Sequence, residues 1–279
     1  MDEMSTKFQL TADNYYSDEA NRIYLSVSQF KDFVGTYGRM GCEEMALAKI
    51  RGEYKTEPSN AMMEEKKRQE EYEEQMCRIN RLKEASMMDK KYREVMFEKY
   101  EVREENQKVF EMAKKYASRF QDMYKKNQGL LLYGPVGTGK SFTAACIGNY
   151  LLNNAKPVIM TSFVKILQDI WENDREAEYI TILNSASLLI IDDLGTERET
   201  DYALEKVYNI IDSRVRANKP MIITSNLELN DMMECEDIRK KRIYDRILEC
   251  CYPMYVGGKS FRMMKAAQRF DEMKDFLEE

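Results

Sequence analysis

An apolar run, Gly129–Tyr133, ends at the octapeptide Gly134-Pro135-Val136-Gly137-Thr138-Gly139-Lys140-Ser141, and a helix-period stretch, Lys140–Asn153, follows at once. Strand, glycine turn and helix in that order leave the chain little choice of local geometry. The glycines let the backbone curl so that successive N–H groups face one point, and the N-terminus of the next helix adds the positive end of its dipole. A concave turn rich in backbone donors is a phosphate site. The Gly-x-x-x-x-Gly-Lys-Ser spacing adds Lys140 for the β- and γ-phosphates and the Ser141 hydroxyl as a ligand of Mg2+. Residues 134–141 are thus the expected ATP-binding residues.

A second apolar run, Leu188–Ile191, delivers Asp192 and Asp193, and Asp192 lies 51 residues after Ser141 with one further strand–helix unit between them. An acid at the carboxyl end of such a strand holds Mg2+ through water. Asp192 is the expected metal-side acid, and Asp193 the candidate for polarising an attacking water. A run ending in two aspartates also describes a strand entering a turn, so the spacing carries the argument. After a further run, Met221–Thr224, come Ser225 and Asn226; Asn226 is either a turn residue or a contact to the γ-phosphate or the water. Arg242, Arg246 and Arg262 follow, and phosphoryl transfer needs cations where charge develops in the transition state.

The remaining runs are Pro157–Met160 and Met254–Val256, and the other helix-period stretches are Ser162–Trp171, Glu199–Ala217 and Ile238–Cys250, with a charged helical end, Arg262–Glu279. Continuous apolar strands alternating with helices predict an α/β fold with a parallel sheet covered on both faces. Upstream the texture differs. Residues 63–126 contain 15 acidic and 17 basic residues among 64, with no Gly or Pro, which predicts a solvated helical arm with a narrow stripe of Met76, Ile79 and Leu82. Residues 1–62 are mixed and aromatic, so the expected division is 1–62, 63–126 and 127–279.

The chain has no histidine, which excludes Ser-His-Asp and Cys-His nucleophile systems and histidine metal sites. Its six cysteines fit neither a zinc ribbon nor a disulfide framework and suit a reducing compartment. The N-terminus has no secretory pattern and no apolar run reaches the length of a membrane span, so the expected location is the cytoplasm. The net charge of −6 offers no global basic field for duplex DNA or an anionic membrane. Two local basic groups, Arg239-Lys240-Lys241-Arg242 and Arg214, Arg216 and Lys219, are either solvated faces or tracks for a phosphate backbone.

Taken in order, GPVGTGKS, LLIIDDLGTE, ITSNL, RIYDRI and GGKSFR resemble the AAA+ ATPases of the DnaC/DnaI helicase-loader and IstB-like group, over residues from about Met76 to Arg262. The resemblance implies a five-stranded parallel sheet, assembly into an ATP-bridged spiral, and a grip on single-stranded DNA. By motif it implies that Asn226 is the sensor-1 residue, Arg246 the arginine finger acting on a neighbouring subunit's ATP, and Arg262 the sensor-2 arginine. Arg242, one turn from Arg246, is the alternative finger. Thr200 and Tyr202 match positions that family members use against single strands, a ring to stack on a base and a hydroxyl to a phosphate; a helix cap and a surface tyrosine are the plainer reading. Many AAA+ proteins carry Glu where this chain has Asp193, and the shorter side chain implies slow, switch-like hydrolysis.

Residues 9–62 are similar instead to the opening of phage-type PD-(D/E)XK exonucleases, but the chain leaves that pattern before the family's catalytic residues, so nuclease activity is not expected. The resulting expectation is a protein that loads a replicative helicase onto single-stranded DNA during replication. The alternatives are an IstB-like transposition helper that binds duplex DNA and a transposase, a P-loop small-molecule kinase, and a nucleotide-binding adaptor without hydrolysis.

Overall fold

The computed structural model describes residues 8–11, 23–26, 60–173, 175–196 and 200–278. The chain divides into two units, Met1–Glu73 and Glu74–Glu279. In the first, β1 (Phe8–Thr11) pairs in parallel with β2 (Ile23–Ser26), Phe8 opposite Ile23. The rest of the stretch that resembles a nuclease opening lies outside the described residues. Helix α1 (Asn60–Ala85) crosses the boundary between the units.

The second unit is built on β3 (Gly129–Tyr133), β4 (Val158–Ser162), β5 (Leu188–Leu194), β6 (Met221–Ser225) and β7 (Cys251–Tyr255), all parallel, in the spatial order β4-β5-β6-β3-β7. This is the five-stranded parallel sheet that the sequence predicts. Successive strand side chains point to opposite faces, and the two apolar layers divide accordingly. Leu130, Leu132, Leu188, Ile190 and Ile222 enter one layer; Leu131, Leu189, Ile191, Met221 and Ile223 enter the other. Helices on both faces bury both sets, which is why the strands are apolar throughout rather than alternating. Pro253 cannot donate a ladder hydrogen bond, and it sits in β7, an edge strand.

One face is covered by α2 (Gln107–Ser118), α3 (Phe120–Lys125) and α4 (Lys140–Asn153). The charged segment 63–126 is helical as expected only at its two ends, in α1 and in α2 and α3. Residues 86–106 between them are turns with two single-turn 3-10 helices, Lys90–Tyr92 and Phe97–Lys99. The second half of the segment is no solvated arm. Val109, Ala113, Tyr116, Ala117 and Phe120 are buried in this layer, a stripe at helical spacing inside a charged sequence. The other face is covered by α5 (Phe163–Asn173), α6 (Glu176–Ser185), α7 (Asp201–Arg216), α8 (Leu229–Met233) and α9 (Ile238–Cys250). Helix α6 falls between the sequence-predicted elements; only Leu183 of it is buried, too little to leave a pattern. Strand β7 starts at Cys251, earlier than its sequence pattern, because α9 runs into it without a loop. Helix α10 (Phe261–Glu278) closes the described chain. Among the described residues no helix is long and apolar enough to cross a membrane.

The basic group Arg214, Arg216 and Lys219 does not form a phosphate track. Arg214 is fully buried. Its Nη1 donates to the carbonyls of Leu183 (3.3 Å) and Ala186 (3.0 Å), and its Nη2 to those of Ser187 (3.1 Å) and Pro220 (2.9 Å). Lys219 Nζ donates to Asn184 O at 2.7 Å, and Arg216 pairs with Asp212 at 2.7 Å. Arg214 therefore ties the turns before β5 and β6 together, and burial lowers its pKa to about 10. Unmade buried hydrogen bonds cost about 1–3 kcal/mol each. Arg214→Leu should destabilise by about 3–5 kcal/mol, comparable to removing one partner of a buried ion pair. At about 2–4 °C per kcal/mol, differential scanning calorimetry should register a fall in Tm of at least about 6 °C; a fall under about 2 °C would contradict the staple.

Candidate nucleotide-binding site

The carboxyl ends of β3, β5 and β6 share one rim of the sheet, and the site is assembled there. After Tyr133 the chain turns with φ of 130° at Gly134, 84° at Gly137 and 98° at Gly139, angles that a side chain resists. At Gly137 an added Cβ would also lie 2.1 Å from Ser260 Oγ. Gly139 then caps α4. Thr138 Oγ1 donates to Pro135 O (2.9 Å), bracing the loop. Lys140 is buried, and its Nζ donates to Gly134 O (2.8 Å) and Pro135 O (2.7 Å). Burial lowers its pKa, while the charges of Asp193 and Asp192 act the other way.

Strand β5 carries the two acids, and a register shift against β6 between Ile191 and Leu194 separates their roles. Asp193 takes a left-handed φ of 59°. Such an angle in a residue other than glycine costs energy and re-aims the side chain. Thr224, at the end of β6, links the acids: its hydroxyl donates to Asp192 Oδ1 (2.6 Å) and accepts from the Asp193 N–H (2.9 Å). Ser225 Oγ donates to Leu194 O at 2.9 Å and closes the far side of the bulge. The Asp193 pKa is raised, first by burial and then by the neighbouring Asp192 charge, with Arg262, Lys140 and Lys91 opposing.

A cavity of about 430 Å3 brings together Gly137, Gly139, Lys140, Ser141, Asp193, Asn226 and Arg262. Arg262 reaches it because the Phe261 N–H donates to Gly137 O at 2.9 Å, pinning the start of α10 to the glycine loop. A smaller pocket of about 120 Å3 adjoins at Gly139, lined by Tyr100, Phe142 and Phe261, an apolar place of the kind that receives a base. Ser141 and Asp192 offer hard oxygen donors. Mg2+ keeps several waters and takes one or two protein oxygens plus phosphate oxygens, so this donor set fits it.

Arg246 does not line this cavity. On α9 it pairs with Asp212 (3.1 Å) and Glu249 (2.8 Å). Arg242 lies over the Tyr208 ring at 4.4 Å, and Arg239 pairs with Asp201 and Asp237. Thr200 caps α7, its hydroxyl accepting from the Ala203 N–H at 3.2 Å, so its own proton remains a donor. Tyr202 meets Trp171 edge-on, ring centroids 5.9 Å apart, with Lys206 Nζ 5.0 Å from the Tyr202 ring. Trp171 is 74% exposed. Sequence reasoning missed Thr224, Trp171 and Lys91; a hydroxyl ending a strand beside the acidic strand, and a lone tryptophan on a helix, were the available signals.

A glycine loop before a helix, an acid-bearing strand one place removed in the sheet, Asn226 just after the strand between them and Arg262 from a C-terminal helix, all on one rim of a five-stranded parallel sheet, define a P-loop nucleotide-binding fold of the AAA+ class. The chain belongs to the IstB-like ATP-binding protein family, whose model matches residues 39–269. The match begins inside the stretch that resembles a nuclease opening. The chain is 28% identical over 163 residues to the replicative helicase loader DnaC of Buchnera aphidicola subsp. Schizaphis graminum, covering 56% of this chain and 64% of that protein. It is 26% identical over 150 residues to the replicative helicase loader DnaI of Bacillus subtilis, covering 49% and 48%. The chain thus spans less than two thirds of the length of these relatives. Among solved structures it is similar to a crystal structure of DnaI, with a TM-score of 0.53 and 21% identity over 62% of this chain and 93% of that one. Similarity to a crystal structure of the DnaC helicase loader has a TM-score of 0.50 and 20% identity, over 61% and 100%. These two likenesses establish the fold.

Thr224 is the test of the acid pair. Removing an outer partner of a metal-side ligand typically weakens metal affinity about 10–100-fold. Thr224→Val should shift the Mg2+ midpoint for fluorescent ATP binding up at least about tenfold, while Thr224→Ser retains it. An unmoved midpoint in the valine variant would separate Thr224 from the metal side.

Proposed function

We propose that this protein is an ATP-hydrolysing assembly factor that delivers a replicative helicase onto single-stranded DNA, with slow hydrolysis timing release. The observation that carries the reading is the single cavity holding Lys140, Ser141, Asp193, Asn226 and Arg262. The relatives named as replicative helicase loaders support the client. Lys140 and the loop N–H groups hold the β- and γ-phosphates, and Ser141 and Asp192 hold Mg2+. Bound there, Mg2+ would neutralise the charge that develops on the phosphates. Asp193 and Asn226 orient a water against the γ-phosphorus. The water oxygen bonds to phosphorus, the bond to the β–γ bridging oxygen breaks, Asp193 takes the water proton, and ADP and phosphate leave. Arg262 stabilises the charge from the same subunit. Asp193 is one methylene shorter than Glu, which holds the water further off and makes the step slow.

Arg246 acts on the ATP of a neighbouring subunit, exchanging Asp212 and Glu249 for phosphate oxygens as subunits assemble. Arg246 pairs with Asp212 and Glu249 and Arg242 lies over the Tyr208 ring, so both arginines have partners to exchange. The motif match at Asp245-Arg246 is what favours Arg246 as the finger. Trp171, Tyr202 and the Thr200 hydroxyl form the single-strand contact: stacking on exposed rings tolerates any base. The net charge of −6 weighs against strong duplex binding, hence against the transposition-helper alternative.

Two experiments test this. Arg246→Ala and Lys140→Ala should each lower ATP turnover at least about tenfold. Mixed together they should regain activity, because the intact loop of one variant meets the intact arginine of the other. A small-molecule kinase working as a monomer would show no such complementation. Separately, a replicative helicase should be retained on the immobilised protein with ATP and released on hydrolysis; retention of a transposase in place of helicase would overturn the proposed client.

A further inference from the structure

The segment after α1 crosses the mouth of the nucleotide site, held at both ends. At one end the Met160 N–H of β4 donates to Ser86 O at 2.8 Å, and Asp89 pairs with Lys165. At the other end Tyr100 Oη and Thr143 Oγ1 lie 2.9 Å apart, beside Gly139, whose carbonyl accepts from Thr143 Oγ1 at 3.0 Å. In the middle Asn149, buried on α4, donates to both Tyr92 O and Val95 O at 2.7 Å. Arg93 Nε donates to Met88 O at 3.1 Å and tightens the turn. A loop with this many anchors to α4 and β4 has a set position over the glycine loop.

Lys91 belongs to this clamped turn, its Nζ 4.6 Å from the centre of the Tyr92 ring, and both residues line the cavity with Lys140, Ser141, Asp193 and Arg262. The order of residues along the segment follows the order along the site. Lys91 falls on the side of Asp193, with which its charge interacts. Tyr100 falls on the side of the small apolar pocket with Phe142 and Phe261. A nucleotide with its base in that pocket and its phosphates over residues 134–141 therefore points its terminal phosphate toward Asp193 and Lys91.

We propose that Lys91 supplies an ammonium group, from the same subunit, to the terminal phosphate of bound ATP, so that the site distinguishes the triphosphate from the diphosphate. The inference rests on the reading of residues 134–141 as the ATP site. Lys140 donates to Gly134 and Pro135 as well as facing phosphate, so its charge is shared with the loop, and Asp192 and Asp193 repel a phosphate at its far end. A third cation beside Asp193 offsets that repulsion where only a triphosphate reaches. Lysine suits the task, being a compact point charge with three rotatable donors on a flexible stem.

The test uses the full chain with Mg2+ and measures displacement of a fluorescent nucleotide by ATP and by ADP. Lys91→Ala should weaken ATP about tenfold and ADP less than about twofold, and Lys91→Arg, which keeps the charge, should recover most of the ATP affinity. The Lys91 side chain is exposed, so the melting temperature should not move. Equal losses for ATP and ADP would mean that the substitution disturbs the loop and would overturn the proposal, as would no loss for either nucleotide. Lys140→Ala is the control for the underlying reading. If it binds ATP as tightly as the wild type, the nucleotide lies elsewhere and both readings fail; if it loses both nucleotides while Lys91→Ala behaves non-selectively, only the Lys91 assignment fails.

Discussion

Parallel pairing of β5, β6 and β3 is the constraint on which the site depends. Each strand in a parallel sheet delivers its carboxyl end to the same rim, and the hydrogen-bond register fixes which residues meet there. Leu130 pairs with Ile222 and Ile190 also pairs with Ile222, so Tyr133, Ser225 and the acids arrive side by side. The register shift after Ile191 then adds what regular pairing cannot. It frees the Asp193 N–H from the ladder to donate to Thr224 Oγ1, and the same hydroxyl gives its proton to Asp192. One threonine thereby holds two like-charged groups in different orientations.

Two buried cations show how the same cost is turned to opposite ends. Arg214 and Lys140 both lose hydration, and burial lowers the pKa of each. Arg214 answers with four hydrogen bonds to backbone carbonyls, which saturate both terminal nitrogens of its planar fork and fix two turns. Lys140 makes two such bonds, to Gly134 and Pro135, and an ammonium carries three protons. Its charge stays under-compensated at the rim of a cavity, which draws an anion. Each cation has one donor left over, and the difference between staple and site is where it lies: Arg214 Nε is buried without a partner among the described residues, whereas Lys140 lines an open cavity.

Much of this was legible because it is local. The glycine loop announces itself by residues in sequence, and the strand carrying Asp192 by a run of four apolar residues at the right interval. The five parallel strands follow from runs apolar on both faces. What depended on register was not legible: Thr224 is one polar residue at a strand end until its pairing beside β5 is known. The Arg214 error has a different origin. Proximity to Arg216 and Lys219 suggested a basic patch, whereas its spacing from Val207 and Ile211 puts it on the buried face of α7, a periodicity that charge obscured. Charge likewise obscured the stripe from Val109 to Phe120. The roles of Arg246, Thr200 and Tyr202 came from resemblance, and the geometry adds only their neighbours.

The site is also closed by chain far from the glycine loop, and the two closing pieces touch each other. Arg103, which follows the clamped segment, lies over the Phe261 ring at 4.6 Å and donates to Met264 Sδ at 2.9 Å. Glu105 accepts from the Lys259 N–H at 3.2 Å. Phe261 in turn holds the glycine loop through Gly137 O. The glycine loop is thus joined by a backbone hydrogen bond to the start of α10, and α10 by a ring and a guanidinium to the segment that carries Tyr100 and Lys91. Such a contact chain has force only if it has two arrangements. The glycine loop is where two arrangements are cheapest. Its left-handed residues carry no side chains to lock them, and the Lys140 bonds to Gly134 and Pro135 are ones that a phosphate can replace.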